Sequence, residues 1–189
     1  IVHEPSGNMG VAGSWNGCAD FYPQEPAWLI MNEDAWFLPG QLETICKFSD
    51  QHLDAPIIHM TDSSYYCFVW TAAGLKQFGT FDENLWPAYY EDCDMRLRHR
   101  LMHAPPYLYA LGEGRPSSVP HGKPRIGGHN YNAMIEGCGL FHRAYMLKKW
   151  GMQEQDHFKH PYNNSALTPD QWEFDCEHRL KLKPIWDCF

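Results

Sequence analysis

The chain has 189 residues and a formal net charge of −8, with 44% hydrophobic and 20% charged residues. That length supports one domain with a real core but not two comfortable ones, and the composition excludes a disordered chain. The acidic balance argues against a nucleic-acid partner, whose footprint on a protein is basic. It suits a site that holds a divalent cation, and equally an ordinary solvated surface. No run approaches the roughly 18 apolar residues of a spanning helix, so no transmembrane segment is expected. The seven cysteines are odd in number and include no Cys-x-x-Cys pair. A zinc cage or disulfide framework is therefore not expected; reduced thiols are, in a cytoplasmic protein that is either free or peripheral to a membrane.

In chain order, Pro5-Ser6-Gly7-Asn8 reads as a turn, and Val11, Trp15, Cys18 and Ala19 have helical spacing across Gly10 to Phe21. Trp28-Leu29-Ile30-Met31 is a short apolar run of the kind that forms a buried strand, ending in Asn32-Glu33-Asp34. Pro39-Gly40 opens a helix to about Gln51, with Leu42, Ile45, Cys46 and Phe48 on its apolar side. Two further strands follow at residues 56–60 and 65–70, and Thr71 is placed to cap a short helix ending near Phe78. Residues 79–87 read as a loop, 91–103 as a helix and 107–110 as a strand. A Gly-, Pro- and Ser-rich loop over 112–128 precedes helices expected over 134–150 and from Thr168 to Leu182. Strands and helices alternate, which predicts an α/β domain.

Three groups of residues could carry chemistry. Asn32-Glu33-Asp34 places oxygen ligands where a strand leaves a sheet, the edge at which open α/β folds bind ligands. A plain strand exit would use the same residue types. In Phe81-Asp82-Glu83 followed by Tyr89-Tyr90-Glu91-Asp92-Cys93-Asp94, three carboxylates sit within four positions at a helix start. Acids there complement the helix dipole, but their crowding beside Tyr also favours a raised pKa, the condition for a general base near neutral pH. His121, between Pro120 and Gly122, is a candidate metal ligand or a surface residue. The 15% aromatic content, with eight Trp, supplies flat faces that stack on sugars, or simply fills a core.

Taken together, these segments resemble the inverting glycosyltransferases of the GT-A fold, the large family 2 class. Ser6-Gly7-Asn8-Met9-Gly10-Val11-Ala12-Gly13-Ser14-Trp15-Asn16 is similar to the family's Asn-x-Gly-x-Ala-x-x-x-Asn segment. Trp28 to Asp34 resembles the strand that ends in Asp-x-Asp, with Asn32 in place of the first Asp. Gly79-Thr80-Phe81-Asp82-Glu83 with Tyr89-Tyr90-Glu91-Asp92-Cys93-Asp94 and Arg98 is similar to the family's Gly-x-Phe-Asp-Glu and Tyr-x-Glu-Asp-x-Asp segments, the longest ordered match. Tyr145 with Lys148-Lys149-Trp150-Gly151 resembles a Tyr-x-x-Lys-Trp-Gly segment of capsule and surface-glycan transferases.

The resemblance implies a single domain with a GT-A-like mixed sheet flanked by helices, residues 1–151 forming the catalytic core and 152–189 a C-terminal helical extension. It implies Asp92 as the base that deprotonates an acceptor hydroxyl, with Glu91 supporting it. Asp94, Tyr89, Tyr90 and Trp86 would shape the acceptor site, and Asn8, Gly10, Asn16, Asn32 and Asp34 would face the donor. Asp34 and His121 would hold Mn2+ or Mg2+. The substrates would be a UDP- or dTDP-sugar and a glycan or polysaccharide acceptor. The family's opening strand and helix for the nucleotide base are not found before Ile1, so the chain is expected to be either part of a longer one or a reduced domain. Two other readings use the same residues: a glycan-binding module that has lost transfer, and a metal-dependent phosphoesterase.

Overall fold

The apolar runs read as strands assemble into one sheet. A computed structural model of the chain describes residue 7 and residues 9–32, 35–61, 65–102, 107–112, 141–146 and 149–150. Its strands are Ala27–Met31 (β1), Ile57–His59 (β2), Cys67–Thr71 (β3) and Leu108–Tyr109 (β4), in the spatial order β1-β3-β2-β4. β3 runs antiparallel to both β1 and β2, whereas β4 joins β2 in parallel, so the sheet is mixed and the fold is mixed α/β. All five residues of β3 are buried, as befits a strand paired on both sides.

Side chains alternate between the faces of the sheet with a period of two. Leu29, Ile58, Cys67 and Val69 form a core cluster with Ile45 and Phe48 of the helix Gln41–Asp50 (α2). Trp28, Ile30, Phe68 and Trp70 occupy the other face and are buried; the cross-strand pair Trp28 and Trp70 has ring centroids 5.6 Å apart. β1, β2 and β4 share one direction, so Met31, His59 and Tyr109 leave the sheet at a common edge.

Three further helices are Gly10–Phe21 (α1), Ala72–Phe78 (α3) and Glu91–Leu101 (α4), and residues 141–146 and 149–150, together α5, are also helical. Thr71 caps α3 as its position suggested: its Oγ1 accepts from the Gly74 amide at 3.0 Å. Gly79, at φ +73°, ends that helix in a conformation suited to glycine. Residues 79–87, expected as plain loop, contain a 3-10 turn over Glu83–Leu85, with the Asp82 side chain accepting from the Asn84 amide. No described helix is long and apolar enough to cross a membrane. Among the described residues, Cys18, Cys46, Cys67 and Cys93 form no disulfide.

The chain divides into two compact units. One comprises Ile1–Asn16, Phe81–Met102 and Ile126–Phe189, and the other comprises Gly17–Thr80 and His103–Arg125. The sheet and α2 belong to the second unit; α4, α5 and the start of α1 belong to the first. The expected extension over 152–189, the helix from Thr168 and the loop over 113–128 lie outside the described residues.

Candidate active site at the head of helix α4

The sequence of α4 is polarised in charge. Glu91, Asp92 and Asp94 fill its first turn and Arg98, His99 and Arg100 its last, both favourable to the helix dipole. The acidic cluster therefore has a local reason to exist. Its three carboxylates nevertheless sit in three different environments.

Asp94 is turned inward and fully buried. Its Oδ1 accepts from Lys149 Nζ at 2.8 Å and from the Trp150 indole at 2.9 Å, and its Oδ2 pairs with Arg98, one helical turn on. It holds α5 against α4, which is not the acceptor contact expected of it. Asp92 is the accessible member. Its Oδ2 lies 3.4 Å from Arg96 Nη2 in a partly exposed pair, and its Oδ1 accepts from the Cys93 amide at 2.8 Å. Such a pair is weak and easily exchanged for a ligand.

Glu91 is buried, with 7% of its surface exposed, and its Oε2 has no hydrogen-bond partner among the described residues. Burial, reinforced by the neighbouring Asp92 charge, pushes its carboxyl up to about 7, although the Glu91 and Tyr89 amides lean the other way. A stability consequence follows. An unfolded Glu ionises near ~4.3, whereas the native carboxyl keeps its proton to about 7, so native stability declines as pH rises through that window. Glu91→Gln removes the effect. The variant should exceed the parent by roughly 3 kcal/mol near pH 8, and the gap should close by about pH 4.5. Urea midpoints across that range check it.

Immediately before Glu91, Tyr89 and Tyr90 take φ values of +78° and +74°. The left-handed region costs a non-glycine residue about 1–2 kcal/mol, so neighbours must impose it. His142 of α5 approaches this loop twice, through Nδ1 at 3.0 Å from the Tyr89 carbonyl and through Nε2 at 2.9 Å from the Trp86 carbonyl. Tyr90 packs on the buried cluster of Leu85, Phe141, Tyr145, Met146 and Trp150. Tyr89 is 41% exposed, while Trp86 is half-buried.

The two outer motif segments meet below this loop. Asp82 is buried; its Oδ2 accepts from the Tyr145 hydroxyl at 2.6 Å and from Lys149 Nζ at 2.8 Å, and its Oδ1 accepts from the Asn84 amide at 3.0 Å. Burial by itself would raise the Asp82 carboxyl, but the Lys149 charge and these hydrogen bonds more than offset it and hold the group below the usual carboxylate range. Lys149 thus bridges Asp82 and Asp94, and Arg98 completes a balanced buried quartet. Tyr145, Lys149 and Trp150 all act within one clamp, which gives that stretch of sequence a physical reason.

Of the donor-side expectations, Gly10 and Asn16 are built into the same unit. Gly10 begins α1 at φ +72°, and a Cβ there would stand 2.7 Å from Trp86 Cδ1 and 2.8 Å from the Pro87 carbonyl. The Val11 amide donates to that carbonyl at 2.8 Å. Asn16 is buried and commits its whole amide to one loop: Nδ2 donates to Phe81 O at 3.0 Å and Glu83 Oε1 at 2.8 Å, and Oδ1 accepts from the Phe81 amide at 2.9 Å. Its amide therefore positions the 81–83 segment. Asn32 is exposed at the end of β1, in the other unit. Asn8, Asp34 and His121 lie outside the described residues. Among the described residues, no three His, Cys, Asp or Glu side chains gather as a metal cage.

Sequence reasoning missed His142. A signal existed: Phe141, His142, Tyr145 and Met146 recur at helical spacing, so His142 falls on the buried face of its helix. No family model matches the chain, and neither curated proteins nor solved structures give a match.

Proposed function

We propose that this protein transfers a sugar, with inversion, from a nucleotide-diphosphate donor such as a UDP- or dTDP-sugar to a hydroxyl group of a glycan or polysaccharide. The observation that carries the reading is the division of labour at the head of α4: an accessible Asp92 beside a buried Glu91, under an exposed Tyr89 held in a left-handed backbone. A carboxylate that solvent and substrate can reach is what deprotonation of an acceptor hydroxyl requires. Asp92 accepts that proton, the freed oxygen forms its bond to the anomeric carbon, and the bond to the diphosphate oxygen breaks with its electron pair. The exposed Tyr89, and Trp86 in the same loop, offer the apolar faces on which an acceptor sugar stacks. Glu91 orients Tyr89 through its backbone amide.

Asn8, Asn32 and the start of α1 remain the donor-side candidates. Mn2+ or Mg2+ on Asp34 and His121 would offset charge on the leaving diphosphate. The reading is tested by calorimetric titration of the nucleoside diphosphate with Mn2+ into the full-length protein. Saturable binding that disappears on chelation is expected. Binding of glycan without nucleotide would favour a glycan-binding module instead, and release of phosphate without an acceptor would favour a phosphoesterase.

A further inference from the structure

His142 is fully buried, and both of its ring nitrogens are occupied by the same kind of partner. Nδ1 lies 3.0 Å from the Tyr89 carbonyl oxygen and Nε2 lies 2.9 Å from the Trp86 carbonyl oxygen. A backbone carbonyl only accepts, and a neutral imidazole has one N–H, so two such hydrogen bonds require a proton on each nitrogen. We propose that His142 is held as an imidazolium in the native protein and is a positioning residue that fastens the 86–89 loop, and with it the Tyr89 ring.

The surroundings decide whether the charge is tolerable. Burial opposes it, while two carbonyl dipoles aimed at the ring favour it. From the packed elements, the head of α4 contributes Glu91, Asp92, Cys93 and Asp94, with Arg96 and Arg98 a turn further on. The 3-10 turn contributes Glu83, α5 itself carries Arg143 and Lys149, and the first turn of α1, Gly10 to Gly13, carries no charge. The acidic groups stand at the end of α4 that abuts the loop, the sign that supports a cation. The geometry also explains how Tyr89 keeps φ at +78°. Its amide faces the Glu91 carboxyl and its carbonyl receives His142, so the backbone of Tyr89 is held on both sides of its Cα. If His142 loses a proton, one of the two carbonyls loses its donor and the Trp86-to-Tyr89 span is held at a single point.

The claim about protonation stands by itself, whereas the consequence for acceptor binding rests on the proposed transfer function. Nitrogen-15 NMR of the imidazole side chains in the full-length protein separates the two. Near neutral pH both His142 nitrogens should show protonated-type shifts, and the Trp86, Tyr89 and Tyr90 amide signals should move together only where that ring titrates. A single protonated nitrogen near pH 7, with the fold intact, would overturn the proposal. In turnover assays, His142→Asn should raise KM for the acceptor about tenfold and leave KM for the donor unchanged. His142→Gln provides a second variant should the first not fold. Equal changes in both KM values would remove the positioning role, and absence of transfer by the parent protein would count against the transferase reading without touching the NMR result.

Discussion

Lys149→Met should destabilise the protein by about 3–5 kcal/mol. Lys149 Nζ is buried between Asp82 and Asp94, 2.8 Å from each, and with Arg98 it balances their two charges. Methionine keeps much of the stem but leaves one negative charge uncompensated in a dry site. Asp82 retains Tyr145 and the Asn84 amide, and Asp94 retains Arg98 and Trp150, so the fold should weaken without losing its architecture. Adding Asp82→Asn to the variant restores charge balance and should recover roughly 1–3 kcal/mol, the coupling expected of direct neighbours. The pH dependence has a definite sign. In the parent, the Asp82 carboxyl is held low, so its contribution is present above the usual carboxylate range and is lost as pH falls through the native value. In the variant, burial acts on Asp82 without Lys149 to oppose it, so the native state takes up a proton and the gap narrows in acid. Denaturant midpoints of parent, single and double variants at two pH values measure all of this.

The fold was readable because each element announces itself locally. Trp28 to Met31 and the runs around Ile57 and Phe68 are short, apolar and bounded by turn residues, and Thr71 offers a cap where α3 begins. The sheet order was not readable, because nothing local records that β3 lies between β1 and β2. At the site, composition picked out the acidic cluster but could not sort it. Asp92 and Asp94 look equivalent in sequence, yet two positions along a helix turn one to solvent and the other into the core. Asn16 read as donor-facing because of its place in a motif, whereas 65 residues separate it from Phe81, the loop residue it fixes. Contacts over such distances leave no periodicity to detect. For His142 the helical spacing could show burial but not its role, because its partners are backbone carbonyls, which carry no residue identity.

The proposed transfer chemistry depends on the contrast between Glu91 and Asp92. Glu91 is buried with its carboxyl raised to about 7, while Asp92 is partly exposed, with a loose ion pair to Arg96 and the Cys93 amide on its other oxygen. A general base positioned this way contributes about 100- to 10,000-fold to turnover. Asparagine at position 92 keeps the size and the oxygen that accepts from the Cys93 amide, but it cannot take a proton. Because Asp92 is partly exposed, its loss should change stability by no more than about 1 kcal/mol, which keeps an effect on rate separable from unfolding.

The measurement that decides the matter is sugar transfer by Asp92→Asn in the full-length protein, with a nucleotide-diphosphate sugar, Mn2+ and a glycan acceptor. The parent should form the inverted glycoside, and the variant should lose about 100- to 10,000-fold in kcat while retaining its denaturation midpoint and its nucleotide binding. A variant that is folded and transfers at the parental rate would contradict the assignment of Asp92 and, with it, the catalytic reading of the head of α4.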